Sequence, residues 1–303
     1  MFGVSAQTLL LASVPGADRG RASGLFAGGF LVGGITGPAL GGLIAAWSMR
    51  APFIIYGVLL IVPGVIAAVA LRARPGRDAS ARRPVTRILP ELAHALRDRA
   101  FRAAATANLA DGFAAIGVRS ALVPLFVRDV LHQSAVWTGI GFGVVAVLNA
   151  ATLLPGGRLA DRLGRRPVII GGCLVSAAGM VMLALLPGLT GLAGYLAALA
   201  VFGVGSGLLD VGPAAMVGDI LGGRGGTVVA AYQMSGDIGA VTGPVTAGYL
   251  VDVASYPAAF GLAAGVLAVA AGLGLLAPET RWAQRPPAAA VTAAPAEPDR
   301  QPD

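Results

Sequence analysis

Lysine is missing from this chain: all 22 basic residues are arginine. A phosphate-binding loop of the Walker A type needs its lysine, and so does a pyridoxal Schiff base, so the sequence carries neither. Cys173 is the single cysteine, and no internal disulfide can form. The two histidines, His94 and His132, are far apart in the chain, so no His/Cys metal cluster is readable and no metal is expected. No catalytic Ser/His or Cys/His constellation stands out, which argues against an enzyme, and nothing calls for a cofactor. Charged residues reach only 12%, against about 25% in a soluble globular chain.

What is abundant is apolar surface and glycine. Hydrophobic residues make up 56%, mean hydropathy is +0.77, and 45 of 303 residues are glycine. Glycine and proline are commoner in membrane helices than in soluble ones. The composition predicts an all-α, polytopic membrane helix bundle. A span needs about 20 mostly apolar residues. Nine stretches qualify as candidates: 2–14, 22–47, 52–72, 103–131, 136–157, 167–187, 191–217, 226–251 and 257–277. The first is too short to cross alone and reads as the second half of a helix. That leaves about eight full spans and one partial one.

The arginines orient these spans. Nineteen of the 22 fall at 15–21, 72–102, 158–166, 218–225 and in the tail, while the intervening loops hold only Arg50 and Arg128. The asymmetry alternates from loop to loop, so the positive-inside rule makes the arginine-rich segments cytoplasmic, with the C-terminus inside the plasma (inner) membrane. A net charge of +7 is therefore topological, and no nucleic-acid partner is expected. Between Arg72 and Arg102, Pro75, Gly76 and Pro84 interrupt regular structure. Within that segment Ile88, Leu89, Leu92 and Leu96 share one helical face, which predicts a helix lying along the bilayer surface. The segment from Trp282 to Asp303 has the proline-rich composition of a disordered tail.

Two motifs stand out. The first is Gly24, Gly33, Gly37-Pro38 and Gly41-Gly42, glycines spaced to let helix backbones approach closely in lipid. The second is Gly157-Arg-Leu-Ala-Asp-Arg-Leu-Gly-Arg-Arg166 between two spans. There Gly157 and Gly164 permit tight turns, and Asp161 can bind helix ends through Arg162, Arg165 or Arg166. Asp219 is the expected partner of those arginines. Gly33, Thr36, Gly37 and Pro38 recur as Gly239, Thr242, Gly243 and Pro244, at a constant offset of 206.

These strings resemble the signature motifs of the major facilitator superfamily. The second matches its cytoplasmic loop motif, and the first the fifth-helix motif of its antiporter branch. Pro278-Glu279-Thr280 is similar to the ending after the last span of many members. The resemblance implies that residues 1–72 are the remnant of an N-terminal helix bundle. It makes 73–102 a cytoplasmic linker with a surface helix, 103–280 a C-terminal six-helix bundle and 281–303 a cytoplasmic tail. Aligned this way, the family's first three helices and half of the fourth are missing from the chain, so a missing N-terminal half is an expected partner. The implied function is secondary active transport of a small organic molecule by alternating access, as a proton-coupled exporter. An uptake symporter for a sugar or metabolite, or a non-transporting truncated membrane protein, are the alternatives.

Charged groups at bilayer depth are functional candidates. At about 1.5 Å of rise per residue, Asp237 falls near the middle of its span and Arg119 close to the middle of its own. Asp111 and Asp210 lie roughly 9 Å toward the cytoplasm. If the helix is regular, Asn108 and Arg119 are about 20° apart around its axis and Asp111 about 60° away, forming one polar stripe. Gln233 and Asp237, four residues apart, share a face. Carboxylates at this depth are costly to charge and so are candidate proton carriers. Asp237 ranks ahead of Asp111, which has Arg119 on its own helix. The competing expectation for Arg119 and Asp210 is a buried ion pair that fixes packing.

Overall fold

The computed structural model describes residues 51–72, 88–185, 190–221 and 226–280, with the isolated positions 29, 33, 37 and 44. The expected spans at 2–14 and 22–47, apart from those positions, lie outside the described residues. So do Gly24, Pro38, Gly41, Gly42, the first half of the linker and the tail. Gly33 and Gly37 are helical, and an added Cβ at either meets nothing within 4 Å.

Among the described residues every regular element is a helix. We number the helices α1 (Ala51–Arg72), α2 (Ile88–Arg97), α3 (Arg99–Asp129), α4 (Ala135–Leu163), α5 (Arg165–Leu185), α6 (Leu192–Leu221), α7 (Gly226–Val253) and α8 (Tyr256–Leu275). Five of these, α3, α4, α5, α6 and α8, are long and apolar enough to cross a membrane. Helix α7 is as long but more polar, carrying Gln233, Ser235, Asp237, Thr242 and Thr246. Ile54 to Val65 of α1 are exposed all round and apolar, as a lipid-facing helix would be.

Helix ends follow local chemistry. The expected span at 103 begins four residues earlier, at Arg99, because Asp98 caps it: its Oδ1 accepts from the Ala100 N–H at 2.7 Å. At the far end of the bundle the Ser255 hydroxyl caps α8 by accepting from Ala258 N–H at 3.3 Å. The largest difference from the sequence expectation is at 158–166, read as a loop. Helix α4 runs on to Leu163 and α5 starts at Arg165. Gly164, with φ +113°, is the whole connection. Asp219, expected at a helix end, lies in the last turn of α6.

Helix α3 sits against α7, α6 and α8, while α6 packs on α5 and α4, and α5 on α8. In lipid there is little hydrophobic force between helices, so close van der Waals approach must hold them. The sequence supplies it with small residues. Ala100, Ala104, Ala107, Ala110 and Ala114 of α3 are buried. Against α7 the approach is closer still, and an added Cβ at Gly112 would strike the backbone of Gly236. One at Gly239 would strike the Leu109 carbonyl and come within 2.6 Å of the Phe113 N. Gly243 meets Phe113 and Gly117 in the same way. The second copy of the glycine–proline repeat is thus a helix-packing surface. Gly239→Ala is expected to lower stability by about 1–3 kcal/mol, the usual cost of overpacking. Thermal unfolding in detergent reads this, and Gly248→Ala, where nothing lies within 4 Å, should leave the midpoint in place.

The middle of α3 is not a regular α-helix. Gly112–Arg119 is π-helical. The Ala115 carbonyl there accepts from Arg119 Nε at 3.0 Å and from Ser120 Oγ at 3.3 Å, two side chains drawn to one backbone acceptor. Each π-helical turn takes in more residues than an α turn. The phase of everything after Gly112 therefore slips, and the stripe expected of a regular helix is broken.

Candidate functional site

That slip separates Asn108 from Arg119. Asn108 faces α7, where its Nδ2 donates to the Tyr232 carbonyl at 2.8 Å and to Ser235 Oγ at 3.3 Å. It ties two helices together. Arg119 instead turns toward α4 and α6, its guanidinium carbon 5.3 Å from the centroid of the Phe142 ring and 5.8 Å from that of Phe202. A guanidinium held between aromatic faces keeps its charge without a carboxylate in contact. Among the described residues Arg119 forms no ion pair, so the expected direct bridge to an aspartate is not made.

The two aspartates are nevertheless near. Asp111, Asp210 and Arg119 interact through their charges. Asp210 Oδ2 accepts from Asn149 Nδ2 at 2.7 Å, joining α6 to α4. Ser206, one turn before Asp210, lies beside Asp111. The other Asp111 oxygen, Oδ1, is buried and accepts no hydrogen bond from a described residue. A buried, unsatisfied carboxylate oxygen is expensive and marks a place where a proton or a ligand group would be welcome. A cavity of about 270 Å³ opens beside it, lined by Arg119, Ser120, Phe142, Val145, Ala146, Asn149 and Ser206. Arg119, Asn149, Ser206 and the Phe142 ring line this hollow, while Asp210 reaches it through Asn149 and Asp111 lies behind Ser206, neither carboxylate forming part of the wall.

Asp237 and Gln233 lie elsewhere. Both are exposed, one turn apart on the face of α7 that points away from Gly236 and Asn108. The expected shared face is there, but it does not meet the Asp111 cluster. The sequence reading missed Asn149, Phe142, Phe202 and Ser206. Asn149 could have been found as a lone amide in an apolar span; the two phenylalanines carry no signal of their own.

A second polar cluster forms at the α4–α5 junction. Arg165 is its centre: Nη1 bonds Asp161 Oδ1 at 3.0 Å and the Ala160 carbonyl at 2.7 Å, and Nε bonds Asp219 Oδ2 at 2.9 Å. The Arg165 and Asp219 side chains are only 15% and 13% exposed, whereas Asp161 is 74% exposed. Thr280 Oγ1 also donates to Asp219, at 3.0 Å. Glu279 completes the cluster, its two carboxylate oxygens accepting from the backbone N–H groups of Arg165 (2.9 Å) and Arg166 (3.1 Å). A carboxylate at the start of α5 satisfies donors the helix cannot use itself and suits its dipole. Gly164 is required twice, by its positive φ and because an added Cβ would strike the Glu279 carboxylate. Arg166 reaches the Leu275 carbonyl through Nη2, and Gly157 faces open space. Arg162 lies in the last turn of α4.

The family model of the Major Facilitator Superfamily matches residues 1–151 and again 105–300. The chain is 28% identical over 184 residues to tetracycline resistance protein, class C, of Escherichia coli, covering 56% of this chain and 43% of that protein. It is 30% identical over 159 residues to multidrug resistance protein MdtG of Serratia proteamaculans (strain 568), covering 51% and 38%. The chain thus spans less than half the length of these relatives. A crystal structure of a POT family transporter in complex with 5-aminolevulinic acid is similar in fold, with a TM-score of 0.50 and 23% identity over 59% of this chain and 38% of that one.

Proposed function

The chain belongs to the major facilitator superfamily, and from that premise we propose that it works in secondary active transport, exporting a small organic molecule in exchange for protons. The observation that carries this reading is the unequal charge set at bilayer depth. Asp111 and Asp210 lie within electrostatic reach of one guanidinium, Arg119, without touching it, so the fully charged set has one negative charge in excess. A proton on Asp111 neutralises it, and so does a cationic substrate in the cavity. Both cannot do so together, and that competition is the physical basis of exchange: a proton arriving from one side releases the substrate bound from the other. The Phe142 ring in the cavity wall favours an organic cation. The similarity to a tetracycline resistance protein and a multidrug resistance protein supports export over uptake.

Alternating access needs a second wall for this cavity, which a second helix bundle would supply. The mechanism then has three parts. The glycine-packed pair α3–α7 gives a rigid frame, the Asp111–Arg119–Asp210 set carries the charge exchange, and the Arg165 cluster closes the cytoplasmic end.

Reconstitution tests the proposal. Vesicles holding the chain are loaded with a fluorescent organic cation and given an inward proton gradient. Gradient-dependent efflux is expected, while accumulation along the proton gradient would mean symport, and no flux at all a non-transporting protein. Orientation is a separate expectation from the arginine asymmetry. In a Cys173→Ala background, a cysteine introduced by Ser80→Cys should be labelled by an impermeant reagent only after the membrane is opened; labelling from outside intact cells contradicts it.

A further inference from the structure

A larger cavity, of about 580 Å³, lies away from the intramembrane charges. It opens between the end of α2, the start of α3 and the end of α8. Its apolar wall includes Leu96, Leu273 and Leu276, which are 51%, 41% and 69% exposed. Its rim carries Arg99 and Arg102, exposed and three residues apart on α3, so they share a face. Among the described residues neither forms an ion pair. The neighbouring acid, Asp98, is engaged in capping Ala100. Thr106 spends its hydroxyl hydrogen on the Arg102 and Ala103 carbonyls within its own helix, at 2.8 and 3.1 Å.

Two positive charges therefore stand at the mouth of a trough whose sides are leucine. An inorganic anion would use the charges and gain nothing from the leucines; a neutral lipid would do the reverse. An anionic phospholipid uses both. Basic pockets between membrane helices at the cytoplasmic surface are suited to such headgroups, and long arginine side chains can hold their charge at the interface while their stems cover apolar surface.

We propose that this cavity binds one anionic phospholipid, its phosphate between Arg99 and Arg102 and an acyl chain along Leu96, Leu273 and Leu276. The site rests on the reading that α3 and α8 cross the bilayer with this end at the surface. A lipid bound there would clamp α2 to the ends of α3 and α8, and so join the linker to the bundle.

The test uses the full chain in neutral-detergent micelles doped with phosphatidylglycerol or phosphatidylcholine of identical chains, with retained lipid counted by mass spectrometry of the intact protein. A preference for phosphatidylglycerol of roughly tenfold or more is expected from two charge contacts. R99Q/R102Q should abolish the preference. R99K/R102K should keep most of it, and Arg128→Gln, a charge loss at the other end of α3, should keep all of it. Three results overturn the proposal. No preference in the unaltered chain means that something else, such as the chain's own tail, fills the groove. An unchanged preference in R99Q/R102Q places the lipid elsewhere. Displacement of phosphatidylglycerol by an equal amount of inorganic phosphate makes the site a simple anion site. The measurement needs neither a gradient nor a membrane orientation, so it stands or falls apart from transport. Labelling of cysteines at both ends of α3 from one side would refute the spanning reading by itself.

Discussion

Asp111→Asn is expected to abolish substrate movement driven by a pH gradient while leaving substrate binding partly intact. The asparagine is nearly the same size and keeps an oxygen for Ser206, so the packing of α3 should survive. What it removes is the negative charge that a proton can cancel. With Asp210 alone facing Arg119, the site is neutral without a proton and has no excess charge for proton and substrate to contest. In vesicles where the unaltered chain moves a substrate against its gradient, the variant should show only the passive leak. Counterflow, which needs no gradient, should persist. Loss of both would mean that Asp111 serves folding rather than coupling.

Two companion variants sharpen this. Asp237→Asn tests the carrier that ranks first from sequence alone. Asp237 is exposed on α7 and apart from Arg119, so on the proposed mechanism its loss should leave gradient-driven flux largely in place. If instead Asp237→Asn uncouples and Asp111→Asn does not, the carrier is on α7 and the charge-set argument fails. Arg119→Gln should be the most damaging of the three. It leaves two carboxylates without the cation near them, and because Asp210 is exposed and Asp111 only partly so, the cost should fall below the roughly 3–5 kcal/mol of a fully buried pair. A marked fall in the unfolding midpoint, relieved at low pH where the carboxylates take up protons, is the expected signature.

The reason the sequence ranked these aspartates otherwise is instructive. Depth along a helix is legible, because rise per residue is constant and the spans are bounded by arginines. Direction around the helix is legible only where the helix is regular. In α3 it is not: the side chains of Arg119 and Ser120 compete for the Ala115 carbonyl, and Gly112 and Gly117 press on α7. Both depend on the packed fold, so the phase of Arg119 could not be read by counting. The same holds for Glu279, whose acceptors' partners are 113 and 114 residues away in the chain. By contrast, the meeting of Arg165 with Asp219 was readable, since two helix ends of opposite charge sit at the same membrane surface. The continuation of α4 through Arg158 and Arg162 was not, because charged residues there look the same in a helix as in a loop.

The last expectation concerns that junction, where structure and gating can be told apart. Arg165→Ala removes bonds from α5 to the ends of both α4 and α6. The pair with Asp219 is mostly buried, so it should be worth more than the roughly 0–1 kcal/mol of a surface bridge and less than the 3–5 of a fully buried one. A loss near 2 kcal/mol, seen as a lower unfolding midpoint, is expected. Asp161 differs: it is 74% exposed, and its bond to Arg165 adds little to stability. On the proposed reading this end is cytoplasmic, and Asp161 is free there to meet a helix of a second bundle when the cavity opens outward. Asp161→Asn should therefore leave the midpoint unchanged but shift the conformers toward inward-open. A shift of even 1.4 kcal/mol is about tenfold in their ratio, enough to change the labelling rate of cysteines placed in the cavity, at Ala146 for example. If Asp161→Asn lowers the midpoint as much as Arg165→Ala and leaves cavity labelling unchanged, the cluster is a brace within one bundle and takes no part in gating.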